Sequence, residues 1–157
     1  MAEGHHRKVA VLMGSASDRE TMQGCLDILD YFRIPYDVHI LSAHRNFKEV
    51  AAFAETVEEK GIAVIIAGAG MAAHLPGVLA AQTIIPVIGV PLDGSALNGV
   101  DALYAIVQMP SGIPVATVAI GKTGAKNAAV LAAQILALED AGLRQKLVAF
   151  RQKGSKL

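Results

Sequence analysis

The sequence predicts an α/β protein built round a central parallel sheet. Three observations point there. Apolar, β-rich runs alternate with amphipathic helical patterns along the chain. One run, Ile62 to Ala67 (IAVIIA), is continuously apolar, as a strand covered on both faces must be. Hydrophobic residues make up 53% of the 157 and aromatics only 4%, so the apolar mass is mostly Ala, Val, Ile and Leu. Such side chains let helices lie close on a sheet.

The elements follow in order. Lys8 to Met13 (KVAVLM) reads as a strand and leads into GSASD. Ser17 to Phe32 reads as a helix, with Ser17 and Glu20 in capping-box spacing. Tyr36 to Leu41 is a second strand, ending at SAHR. Asn46 to Lys60 is a helix; Asn46 and Glu49 repeat the capping signal and Gly61 stops it. Ile62 to Ala67 is the third strand, followed by GAGMAAHLPG and a short helix to Gln82. Pro86 to Val90 is a fourth strand, Asn98 to Val107 a helix, and QMPSGIP a turn-rich connection. Val115 to Ile120 is the fifth strand. Helices over Lys126 to Leu138 and Leu143 to Lys153 complete the chain. This order predicts a three-layer sandwich with a central parallel five-stranded sheet and right-handed crossovers. Five strands in one domain favour the flavodoxin-like strand order. Residues 8–157 read as one domain and residues 1–7 as a disordered tail holding His5 and His6. Residues 154–157 read as frayed.

Composition excludes several classes. Fourteen basic and fourteen acidic residues cancel, which speaks against nucleic-acid binding driven by excess charge. No unbroken run of eighteen apolar residues offers a membrane span. The start, MAEGHHRKVA, lacks the apolar region of a signal peptide, so a cytoplasmic protein is expected. The single Cys25 precludes an internal disulfide and sits in a helical pattern as a buried structural thiol. The mean hydropathy of +0.43 is high for a short soluble chain and points to a homo-oligomer.

In open parallel sheets, ligands bind beyond the carboxyl ends of the strands. The unusual residues lie there. GSASD offers amides, hydroxyls and a helix N-terminus, an arrangement suited to phosphate. With Ser17 as the cap, Ser15 and Asp18 are free to face a ligand, Asp18 as an acceptor for sugar hydroxyls. In SAHR, His44 can serve as acid and base, and Arg45 offers a fixed cation for phosphate or carboxylate. The small residues of GAGMAAHLPG let a ligand approach the backbone. His74 either contacts a ligand or bonds only the backbone, and His39, inside strand two, reads as structural. The run Gly68 to Ala73 fits GxGxxA, but after the third strand rather than the first, so a dinucleotide site is a weak reading. A receiver-like regulatory module would want clustered acids after strand one, where only Asp18 stands. The P-loop pattern is absent. No metal cluster is visible: His44, His74 and Asp18 stand on separate loops.

Together GSxSD, SAHR, AGAGxAAHLPG, Gly89 to Pro91 (GVP), Ile106 to Gly121 and Asn127 to Leu138 resemble the class I N5-carboxyaminoimidazole ribonucleotide mutases, the bacterial PurE family. The resemblance covers roughly residues 8 to 140. It implies an isomerase of purine biosynthesis that moves a carboxylate from an exocyclic nitrogen to ring carbon C4. It implies no metal, ATP or biotin, a ribonucleotide substrate, and a homo-octamer. His44 matches the catalytic histidine. Ser15, Asp18 and Arg45 match substrate-binding positions, with Ser17, Ser42 and Ala43 beside them. The loop Gly68 to Leu75, with Gly70, His74 and Leu75, is expected to line the base and carboxylate. Met71 departs from the family, where many relatives have a second Gly, and Asp93-Gly94 falls where relatives vary. The related class II carboxylases, which use free CO₂, are the nearest alternative.

Overall fold

A computed structural model describes residues 7–157. The expected disordered tail with His5 and His6 therefore lies, apart from Arg7, outside the described residues. Five strands form one parallel sheet in the order β2-β1-β3-β4-β5. They are β1 (Lys8–Met13), β2 (Tyr36–Ile40), β3 (Ile62–Ala69), β4 (Val87–Pro91) and β5 (Ala116–Thr117). The predicted flavodoxin-like order and the parallel sense are both present.

Alternation along the strands divides the core in two. Val9, Val11, Met13, Val64, Ile66, Ile88 and Val90 face one way. They pack under α1 (Arg19–Phe32), α5 (Gly121–Leu136) and α6 (Ala141–Gln152). Ala10, Leu12, Ile65, Ala67 and Val87 face the other way, under α2 (Phe47–Thr56), α3 (Leu75–Ala80) and α4 (Val100–Val107). The three central strands are buried on both faces, so beyond Lys8 at the start of β1 their sequences are continuously apolar. The α1–α5 contact is close: a Cβ on Gly24 would meet the stem of Lys126 at 2.9 Å.

Several boundaries differ from the sequence expectation. α2 ends at Thr56, four residues before Lys60, and a turn closes at Gly61 with φ +71°. β5 shrinks to two residues because the chain leaves the sheet edge after Thr117, although the Val118 amide still donates to the Gly89 carbonyl at 3.2 Å. α5 starts five residues before Lys126, at Gly121. A Cβ on Gly124, in this first turn, would stand 1.6 Å from the Ala119 carbonyl oxygen. Only glycine lets that first turn form so close to the chain. α6 starts at Ala141, capped by the Asp140 carboxylate, which accepts from the Leu143 amide at 2.9 Å. Residues 154–155 are not frayed: the Ser155 amide donates to the Phe150 carbonyl at 3.0 Å and closes the helix end.

Cys25 is fully buried, and burial pushes its thiol up to about 12. No helix among the described residues is long and apolar enough to cross a membrane.

His39 on β2 packs on the Phe53 ring of α2, with centroids 4.8 Å apart, and its buried Nε2 has no partner. Burial lowers its pKa below the ordinary 6.5; Asp37 opposes the shift, and Lys60 and Lys8 add to it. The folded state therefore favours the neutral ring, and the unfolded chain takes the proton first. The stabilising contribution is complete above the unfolded pKa and is lost as pH falls below it. Urea midpoints between about pH 8 and pH 5 should fall less steeply for His39→Phe than for the parent chain. Equal slopes would remove His39 as the cause.

Candidate active site

Backbone bonds tie the loops after four strands to one edge of the sheet. The Gly14 amide donates to the Gly68 carbonyl at 3.3 Å, and the Leu41 amide donates to the Met13 carbonyl at 2.8 Å. The Leu92 amide donates to the Ala69 carbonyl at 2.9 Å. These bonds continue the ladder past the strand ends, so the loops start side by side. Between them lies a cleft of about 460 Å³. Every predicted site residue lines it: Ser15, Ser17 and Asp18 from the first loop, Ser42 to Arg45 from the second, and Gly70, His74 and Leu75 from the third.

The first loop is capped differently from the expectation. Ser15, not Ser17, is the cap, and its hydroxyl accepts from the Ser17 amide at 3.3 Å. Asp18 answers by accepting from the Ser15 amide at 3.0 Å. The box closes on the short 3-10 turn Ala16–Asp18 that precedes α1, two residues earlier than Ser17 and Glu20 suggested. Ser15 and Asp18 are thus engaged with each other's backbone, and Ser17 is the exposed hydroxyl, 2.9 Å from that of Ser15. Burial raises the Asp18 pKa and the Ser15 amide bond offsets part of that.

The second loop is held by Ser42. Its hydroxyl accepts from the amides of His44 and Arg45, each at 3.3 Å. Asn46 does not cap α2 with its side chain; its Oδ1 accepts from the Ser42 amide at 3.2 Å instead. The capping signal in Asn46-Glu49 is spent on shaping SAHR. Arg45 is exposed, and none of the ion pairs among the described residues includes it.

The third loop brings His74 against His44. His74 is the N-cap of α3 but makes no side-chain capping bond. Its Nδ1 lies 2.7 Å from His44 Nε2, and the two rings meet edge-on at 4.8 Å. One nitrogen donates and the other accepts, so the pair holds a single hydrogen between the rings. Among the described residues no three His, Cys, Asp or Glu gather as a metal set.

The two glycines of the third loop differ in purpose. A Cβ on Gly68 would strike the Met22 sulfur at 2.8 Å, so glycine is there for packing. A Cβ on Gly70 would make only ordinary contact with Leu92, at 3.6 Å, so its bare backbone serves the cleft. Leu75 lines the floor with a side chain only 2% exposed, and Ala43 packs on the core below. Leu92 and Gly94, after β4, also line the cleft and were missed. Position at a strand end was their only signal, because neither carries a reactive group. A larger hollow of about 590 Å³ lies at the opposite end of the sheet, near Arg7, Arg33 and Lys146. There Arg7 pairs with Glu139 at 2.6 Å and Lys146 donates to the Phe32 carbonyl at 3.0 Å.

A parallel sheet whose strand ends gather a cleft, with an anion-suited loop and a pair of histidines on its rim, is the architecture of an α/β protein with its site at the carboxyl edge of the sheet. Comparison with known proteins narrows this. A family model described as AIR carboxylase matches residues 8–156, and the chain belongs to that family. N5-carboxyaminoimidazole ribonucleotide mutase of Escherichia coli K12 is 57% identical over 145 residues, 92% of this chain and 86% of that protein. The protein of the same name from Bacillus subtilis is 58% identical over 139 residues, 88% of this chain and 86% of that one. The crystal structure of Treponema denticola PurE superposes with a TM-score of 0.82 at 29% identity, covering 94% of this chain and 90% of that one.

Ser42→Ala removes the acceptor shared by two amides, each exposed bond worth about 0.5 kcal/mol. The thermal midpoint should stay within about 3 °C, because the loop is part-exposed. Limited trypsin digestion should cut after Arg45 several-fold faster. An unchanged cutting rate would show that Ser42 does not hold the loop.

Proposed function

We propose that this chain converts N5-carboxyaminoimidazole ribonucleotide into its C4-carboxylated isomer, a step of purine biosynthesis, with His44 moving the proton. The observation that carries the role of His44 is its 2.7 Å bond to His74 at the edge of the cleft. A histidine held by a second ring keeps one orientation and one hydrogen position.

The bond between the exocyclic nitrogen and the carboxylate breaks, CO₂ leaves, and the electron pair stays on nitrogen, which takes a proton from His44. Carbon C4, made electron-rich by the amine, attacks CO₂ and forms a carbon–carbon bond. His44 then removes the C4 proton and returns to its starting state. The carboxyl group arrives already on the substrate and no electrons are gained or lost, so the reading calls for no ATP or biotin to activate bicarbonate and no redox cofactor. His74 is a positioning residue for the ring of His44. Ser15, Ser17 and Arg45 hold the phosphate, and Asp18 accepts from the ribose. Ser42 and Ala43 set the height of His44, while Gly70, His74 and Leu75 border the base and carboxylate. Remote binding of the phosphate orients the ring for the reaction.

The exposed apolar residues Val100, Tyr104 and Val107 on α4 support assembly into a homo-oligomer, read here as an octamer. Cytoplasmic residence belongs to the same reading. The family description, AIR carboxylase, favours a second reaction in which free CO₂ is the donor.

Turnover of the ribonucleotide in ¹³C-bicarbonate separates the two. Unlabelled C4-carboxylated product, followed by NMR, is expected for the mutase. Heavy label would point to the carboxylase, and no product would overturn both. His44→Asn should bind the product nucleotide within about threefold of the parent and lose at least roughly a hundredfold in kcat. Near-parent kcat would sink the role of His44. His74→Asn should cost kcat more than KM.

A further inference from the structure

Met71 breaks two local rules at once. Its backbone is left-handed, with φ +55°, a conformation that strains a non-glycine residue. Its side chain is 65% exposed while lining the cleft, so no packing within the chain offsets that strain. Violations of this kind gather at functional sites.

Among the described residues, the other sulfurs are buried or part-buried. Met13, Met22 and Cys25 are fully buried. Met109 is part-buried, with its sulfur lying over Gly77. Among the described residues, Met71 alone presents an exposed thioether, and it does so at the active-site rim. Thioether oxidation follows exposure.

We propose that Met71 is a modification site, where an oxidant of the peroxide class forms the sulfoxide and reversibly slows the enzyme. The inference rests on the proposed reaction for its effect on rate. The sulfur lone pair attacks one peroxide oxygen and the O–O bond breaks. The departing hydroxide takes a proton and leaves as water. Sulfur is oxidised by two electrons and the peroxide is reduced by two. The product side chain carries a strong acceptor oxygen where an apolar thioether stood. Water then collects on the wall of a cleft that must keep released CO₂ from solvent. His74 lies three residues on, past a turn in which its amide donates to the Ala72 carbonyl at 2.8 Å. Hydration of position 71 therefore also disturbs the loop that holds His44.

The test treats the full chain, in its solution assembly, with graded hydrogen peroxide. Peptide mass spectrometry reads which methionine gains oxygen, and kcat is compared with each preparation's own untreated rate. Met71 should oxidise at least several-fold faster than Met109, and kcat should fall several-fold in step with it. Methionine sulfoxide reductases with dithiothreitol should restore the rate. Met71→Leu should resist the loss, and Met109→Leu should not. Equal or faster oxidation of Met109, or full oxidation of Met71 without loss of rate, overturns the proposal. A parent chain inactive before treatment would instead count against the proposed reaction, and the order of oxidation would still judge the accessibility of Met71.

Discussion

The parallel ladder between β1 and β3 is the constraint on which the site depends. It sets Met13 beside Gly68, so two loops leave the sheet at the same height. The ladder to β2 sets Met13 beside Ile40 and brings SAHR to the same edge. Parallel strands all end on one side, and that places chemistry from distant parts of the chain together. The β3–β4 ladder does the same for Leu92 and Gly94 through the Ala69 and Pro91 pair. A slip of one residue would turn every core side chain to the wrong face, so the two apolar layers lock this register.

On that scaffold, the polar side chains of the loops hold the backbone before they hold a ligand. Ser15 and Asp18 close a box, while Ser42 and Asn46 shape the turn that carries His44 and Arg45. Such local bonds preorganise the donors and the charge, which lowers the cost of ordering them on binding. His74 shows the same economy: freed from capping, its ring is available to His44. Gly68 allows the third loop to start hard against Met22. Packing and chemistry thus meet within a few residues, and Met71 alone of these loop residues is supported by neither.

Much was legible in the chain itself. The continuous apolar runs of Ile62 to Ala67 and Val9 to Met13 read as strands buried on both faces, because nothing polar in them would face water. The residues gathered at the cleft were readable as well, since Ser, His, Arg and Gly clusters at strand ends have little packing purpose. Less legible were positions where glycine permits close contact rather than breaking a helix, as at Gly124. Capping was also misplaced, because Ser15, Ser17 and Asn46 all match a cap and only the tertiary path of the loop selects among them.

The sequence by itself determined the layers, the strand order and the edge at which the chemistry collects, because hydrophobic period and strand-end position are local properties that global packing then obeys. Only the tertiary structure decided that His74 turns to His44 across thirty residues of chain, at 2.7 Å. It alone decided that Leu92 and Gly94 complete the cleft, and that Met71 stands exposed at its rim. These are matters of distance between loops, and distance is set by the ladder and the packed helices rather than by any residue's own preference.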